Sequence, residues 1–175
     1  MKFDKNTFIF CLAGFLFTVA FGALSHFIYQ WSGRNRIAAL FFPVNESTWE
    51  HLKLVFFPAF LYFAVAAVVT GKRYSAAAFL CVLTAAALIV AIFYSYTAIV
   101  GKSYVIADIL TFVVAVFAGY VVAYFVLTSD INSALNNVSL AGIAAIVVLC
   151  FCFTYFTPQC FLFRDPVSGG YGIAQ

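Results

Sequence analysis

Five runs of about 20 predominantly apolar residues constrain this chain more than any other feature. They lie at roughly 7–30, 51–70, 75–99, 104–127 and 138–157. A helix of that length matches the hydrocarbon thickness of a bilayer. In lipid the backbone polar groups of a span must be satisfied internally, which leaves helices or a closed barrel. These runs are too long and too unalternating for barrel strands. The expected fold is therefore all-α: a polytopic transmembrane helix bundle of about five spans, forming one domain over residues 1–175.

Composition closes the alternatives. The chain is 66% hydrophobic and 9% charged, against about 45–50% and about 25% for a soluble domain. A chain of 175 residues cannot hide that much apolar side chain in its own core. Net charge is +3, dispersed and without a basic stripe, so no nucleic-acid partner is expected. The bilayer is the expected partner, and self-association is compatible with the pattern. The first run follows Lys2 and Lys5 as a signal peptide would. It exceeds a usual signal core and no A-x-A site follows, so it reads as a retained helix. Of the five cysteines, Cys11, Cys81, Cys150 and Cys152 fall inside apolar runs, with Cys160 beyond the last. The count is odd and no C-x-x-C occurs, which points to small buried hydrophobes rather than a redox pair.

The connections carry the polarity. Residues 71–73 and 101–104 are short turns, and TSDINSALNN at 128–137 is a polar loop. Residues 31–50 form the longest connection and contain RIAALFFPV. That stretch is apolar but too short to span, so an interfacial or re-entrant segment is expected between the first two spanning helices. Five spans put the termini on opposite faces. The face opposite the amino terminus, here called X, receives the 31–50 connection, the 101–104 turn and the tail. Lys and Arg divide four against five between the faces, which sets no orientation by the positive-inside count. The acids Glu46, Glu50, Asp108 and Asp165 lie on the X side and can pair with its cations. The expected location is the cell membrane, multi-pass, with a cytoplasmic amino terminus.

Within this frame PVNESTWEHLKL, residues 43–54, is out of place: two glutamates, a histidine, a lysine and a tryptophan between apolar runs. Ser47-Thr48-Trp49-Glu50 fits a capping box at a helix start, and Trp49 suits a membrane interface. Glu50 and Lys53 stand three apart and can pair. Capping leaves His51 unexplained. At helical spacing His51, Val55, Ala59 and Tyr62 share a stripe with Pro58, and Gly14, Thr18, Gly22 and His26 share another. Membrane helices pack through small residues, so both histidines should face inward near X. In the fourth run Asp108, Thr111 and Ala115 lie near one stripe.

His26, His51 and Asp108 are therefore expected to converge from three helices, with Glu50 beside His51 and Glu46 a turn earlier. Ionisable groups inside a membrane are costly and mark function by default. Two imidazoles with one or two carboxylates suit Zn²⁺ or Fe²⁺ with an open position. They equally suit an acid/base pair. The candidate metal ligands are His26, His51 and Asp108. The candidate catalytic set is His51, Glu50, Asp108 and His26, and the candidate substrate contacts are Arg34, Arg36, Trp49 and Tyr62. No H-E-x-x-H or G-x-S-x-G motif accompanies them.

Three segments carry a family resemblance: SHFIYQWSGRNRIAALFFPVNESTWEHLKL, the Asp-containing start of the fourth run, and LFRDPVSGGYGI. Together they resemble a family of small multi-pass bacterial membrane proteins classed as a domain of unknown function. The PVNESTWEHLK block is the most specific part. The resemblance implies a bacterial integral membrane protein and supplies no activity, cofactor or catalytic residue. From the residues, the leading expectation is a membrane-embedded enzyme acting at face X on a lipid or other amphiphile, its anionic head group held by Arg34 and Arg36. A small-solute or ion transporter or channel is the second. A non-catalytic accessory or binding subunit is the third.

Overall fold

The computed structural model describes residues 4–129 and 133–173. Six helices follow one another: α1 Lys5–Trp31, α2 Arg36–Phe41, α3 Thr48–Thr70, α4 Ser75–Val100, α5 Val105–Leu127 and α6 Ser133–Tyr155. Five of them, all except α2, are long and apolar enough to cross a membrane. Among the described residues there is no strand, only an isolated antiparallel bridge between Arg164 and Tyr171. The protein is an all-α helical bundle.

Local chemistry sets the helix ends. Asp4 accepts from the Asn6 N–H and caps α1, Asn35 accepts from Ile37 and Ala38 and caps α2, and Ser47 accepts from Glu50 and caps α3. Each oxygen satisfies a backbone N–H that the helix itself cannot. Helices α3 and α4 stop at Gly71 and Gly101, both left-handed, as helix C-termini commonly do. The apolar segment expected between the first two spans is the short α2. Helix α6 begins earlier than expected, because the end of the polar 128–137 stretch is helical; residues 130–132 of that stretch lie outside the described residues. Its Asn136 and Asn137 work as contacts, accepting from Ser75 and Ala76 and from Arg73 respectively.

Helix α4 packs against α5, α6 and α3, while α1 packs against α3 and α5. The inward face of α1 is Cys11, Gly14, Thr18, Gly22, Ser25 and Tyr29, the small-residue stripe that the spacing predicts. On α3 the buried stripe includes Val55, Pro58 and Ala59. All five cysteines are free, with Cys11, Cys81 and Cys150 buried and Cys152 and Cys160 exposed.

The α1–α3 contact is what brings two histidines together, and it depends on one glycine and one proline. Pro58 has no N–H, so the Leu54 carbonyl lacks its intrahelical partner. Gly22 of α1 lies over that carbonyl, where an added Cβ would stand 2.6 Å from the oxygen. Gly22→Ala must therefore push the helices apart, at a cost of about 1–3 kcal/mol. A clear fall in the unfolding temperature of the detergent-purified variant is the expected result. An unchanged temperature would show that this approach can relax freely.

One end of the bundle gathers the polar chemistry. The Tyr155 hydroxyl donates to the Arg36 carbonyl, joining α6 to α2 at 2.6 Å. Tyr94 bonds both Thr48 and the Phe161 carbonyl, joining the end of α4 to the start of α3 and to the tail. Asn45 donates to the Gly172 carbonyl at 2.8 Å. The α1–α3 connection, the C-terminal ends of α4 and α6, and the tail therefore meet at one end, the end called X above.

Candidate functional site

The PVNESTWEHLKL stretch splits into two structures with different jobs. The first is a buried charge network. Lys53 is 1% exposed and Glu50 3%. The Lys53 ammonium donates to Glu50 Oε2 at 2.8 Å, to the Ala39 carbonyl at 3.0 Å and to Thr154 Oγ1 at 2.7 Å. All three of its donors are used, which is the condition for a buried ammonium to be tolerated. Glu50 Oε2 also accepts from the Val44 N–H at 3.0 Å. This network ties α2, the 42–47 loop and α6 to α3. Glu50, expected beside the histidines, faces this network instead.

The second structure is a cluster of His26, Glu46 and His51. Each offers one donor atom, and these atoms lie within 4.8 Å of one another. Glu46 stands between the rings: Oε1 is 3.7 Å from His26 Nε2, and Oε2 is 3.4 Å from His51 Nε2. The two ring centroids are 5.3 Å apart. His51 Nδ1 is 3.0 Å from the Ser47 carbonyl. A carbonyl can only accept, so Nδ1 carries a proton, and Nε2 faces Glu46 with a second proton when the ring is charged and with a lone pair when it is neutral. The Glu46 carboxyl is held below its usual range, chiefly by the contact with His51, so it is ionised at neutral pH.

A cavity of about 40 Å³ adjoins the cluster, lined by His26, Tyr29, Gln30, Pro43, Val44, Asn45 and Glu46. That volume exceeds the share of one water in the liquid, about 30 Å³. His26 Nδ1 is buried and has no hydrogen-bond partner among the described residues, so the ring has a polar demand that the protein does not meet. The loop carrying Glu46 is held from both sides. Asn45 accepts from the Ser47 N–H at 2.9 Å while its amide donates to the tail at Gly172.

The other expected site residues lie elsewhere. Asp108 is hydrogen-bonded by the Tyr96 hydroxyl across the α4–α5 hairpin. It is outside the three-residue cluster. Tyr62, eleven residues beyond His51 and so about 16 Å along α3, donates to the Phe10 carbonyl and packs among Phe10, Phe63 and Tyr120 in the opposite half. Trp49 is wedged between Phe153 and Phe163 and anchors the tail. Arg34 and Arg36 are exposed at the α1–α2 turn. Arg164 donates to the Gly169 carbonyl rather than pairing with its neighbour, and Asp165 organises the tail turn through Val167 and Ser168. Neither folds onto Asp108 or Glu50.

The residue that spacing alone underrates is Glu46. It precedes the N-cap, where helical periodicity has no authority, and only its place one turn before His51 signals it. A model of a family of unknown function (DUF6512) matches residues 2–173. No curated protein and no solved structure matches the chain.

Proposed function

The chain belongs to that family, which fixes no activity in advance, and we propose that it is a metal-dependent membrane enzyme acting on a lipid or other amphiphile at face X. His26, Glu46 and His51 hold Zn²⁺ or Fe²⁺. The observation that carries this reading is the spacing of donor atoms. The two nitrogen–oxygen separations, 3.4 and 3.7 Å, are longer than a charge-assisted hydrogen bond of about 2.7–2.9 Å. They run to different carboxylate oxygens, and one donor atom from each residue lies within 4.8 Å of the others, a set that a small closing movement brings to the roughly 3.3 Å edge of a tetrahedron whose centre is about 2.0–2.1 Å from each ligand. His51 shows the outer-partner pattern of metal-bound histidine, with its far nitrogen on a backbone carbonyl. Two imidazoles and a carboxylate leave coordination positions open, and the adjoining cavity has room for one small ligand. Zn²⁺ in such a set supplies a Lewis acid and a nucleophilic bound water, and Fe²⁺ gives access to oxygen chemistry.

The transporter reading lacks an equivalent observation. Among the described residues the charges in the spans are confined to their ends, whereas transporters place such groups near the midplane. The same proposal puts the protein in a bacterial cell membrane with a cytoplasmic amino terminus, so that the cluster faces outward.

The test is metal content by mass spectrometry on detergent-purified protein. Wild type is expected to carry one zinc or iron ion per chain. His51→Ala is expected to lose it while keeping the elution profile and helical content of wild type. Absence of metal from wild type after loading with Zn²⁺ and with Fe²⁺ would sink the proposal and leave the cluster as an acid/base or packing group.

A further inference from the structure

We infer that the mouth of this site takes an amphiphile with an anionic headgroup, held by Arg34 and Arg36; the inference rests on the metal-site reading and narrows its substrate class. The cavity wall on α1 is His26, Tyr29 and Gln30. The carbonyls of the last two do not end in solvent. Gly33 donates to Gln30 at 3.1 Å and Arg34 donates to Tyr29 at 3.0 Å. The Arg34 backbone is therefore fastened to the end of the helix that supplies this wall.

The backbone around it is unusual. Gly33 and Arg34 are successive left-handed residues, at φ 69 and φ 60. Glycine takes that conformation freely, and an arginine does so under strain. Nothing in the local turn requires a long cationic side chain at that position. The strained turn reverses the chain at once, so that Asn35 caps α2 and Arg36 follows in its first turn. Two arginines, two residues apart, thereby follow directly on the end of the helix that supplies the cavity wall. Both are exposed, and neither has an acidic partner among the described residues. A divalent ion outweighs the single charge of Glu46, so the loaded site adds to this positive field rather than cancelling it.

The apolar surroundings say that the anion arrives on a hydrocarbon chain. Trp31 and Ile37, each 70% exposed, bracket the arginines in sequence. Trp31 stacks on the exposed Phe27 at 5.6 Å between centroids. A tryptophan beside arginines at a helix end is the arrangement of the headgroup level of a bilayer. Arginine also matches phosphate oxygens in a bidentate way that a point charge does not.

The experiment uses Trp31, one of only two tryptophans in the chain; the other, Trp49, is packed under the tail. The full chain is reconstituted in phosphatidylcholine vesicles containing phosphatidylglycerol, with one lipid or the other brominated on its acyl chains. At equal mole fraction, brominated phosphatidylglycerol is expected to quench Trp31 several-fold more effectively than brominated phosphatidylcholine. Arg34→Gln combined with Arg36→Gln is expected to bring the two lipids to parity with unchanged metal content. Parity in wild type, or a preference that survives in the double variant, would overturn the inference. Loss of the preference on adding inorganic phosphate at constant ionic strength would reassign the pair to a free anion, and would overturn it as well. Metal analysis of the same preparation separates the two readings. Bound metal with parity defeats the headgroup alone, and a preference without metal defeats the metal site alone.

Discussion

Lys53→Ala is expected to destabilise the protein by about 3–5 kcal/mol, the cost of breaking a buried ion pair and leaving one charge behind. Three acceptors lose their donor at once: Glu50 Oε2, the Ala39 carbonyl and Thr154 Oγ1. Thr154 still donates to the Cys150 carbonyl, and Glu50 keeps only the Val44 N–H. What remains is a carboxyl left with one donor and a backbone carbonyl that has lost the ammonium, each shut from water. The companion variant Lys53→Met with Glu50→Gln removes both charges and fills most of the lost volume. It is expected to recover most of the stability, because apolar or neutral replacement of a whole buried pair is often near neutral. Unfolding in mixed micelles measures both. A Lys53→Ala chain as stable as wild type would show that the network contributes nothing. Metal content of the double variant, expected at the wild-type level, assigns Glu50 to holding the fold rather than to the reaction.

The contrast between Glu50 and Glu46 shows what a sequence of this kind discloses. Helices were legible because lipid leaves the backbone no alternative over 20 apolar residues. Their inward faces were legible because small residues recur at helical spacing, as with Gly14, Thr18 and Gly22. That pattern also put His26 and His51 on inward faces near the same end, and the structure brings them together. The Ser47 N-cap and the Glu50–Lys53 pair were legible as local chemistry, from Ser47 and a spacing of three; the reciprocal half of the capping box does not form, because Asn45 takes the Ser47 N–H and Glu50 accepts from Val44 and Lys53. What spacing could not reveal was where each carboxylate points. Lys53 takes Glu50 away from the histidines, and Tyr96, from the neighbouring helix, takes Asp108. The Asp108 contact crosses the α4–α5 turn; the Glu50–Lys53 pair is local, and its inward direction is set by the Ala39 carbonyl and Thr154, which hold Lys53. Glu46 was harder still, since its position depends on a non-helical loop fastened through Asn45 to Gly172, 127 residues later. Tyr62 failed for a simpler reason: sharing a stripe with His51 says nothing of the distance along it.

That history makes the decisive comparison a pair of isosteric amides. Glu46→Gln is expected to weaken Zn²⁺ binding by more than the roughly 10–100-fold that loss of an outer partner costs. The amide keeps the shape of the side chain but gives up its charge and half of its oxygen donors. Asp108→Asn is expected to weaken binding by no more than about tenfold. Its amide can still accept from the Tyr96 hydroxyl, and what is lost is a charge outside the cluster. Competition against a chromophoric chelator, with metal-free protein in detergent, reads both affinities on one scale. Neither residue belongs to the Lys53 network, so both variants should fold, and their unfolding temperatures check it. The opposite order, with Asp108→Asn the more damaging, would restore the His26–His51–Asp108 set that helical spacing favours. Equal and small effects would mean that the metal, if bound at all, sits elsewhere. The expected order has a physical basis in the two separations around Glu46. A carboxylate that stands between two imidazoles, at 3.4 and 3.7 Å from their nitrogens, is placed where one shared cation would engage all three.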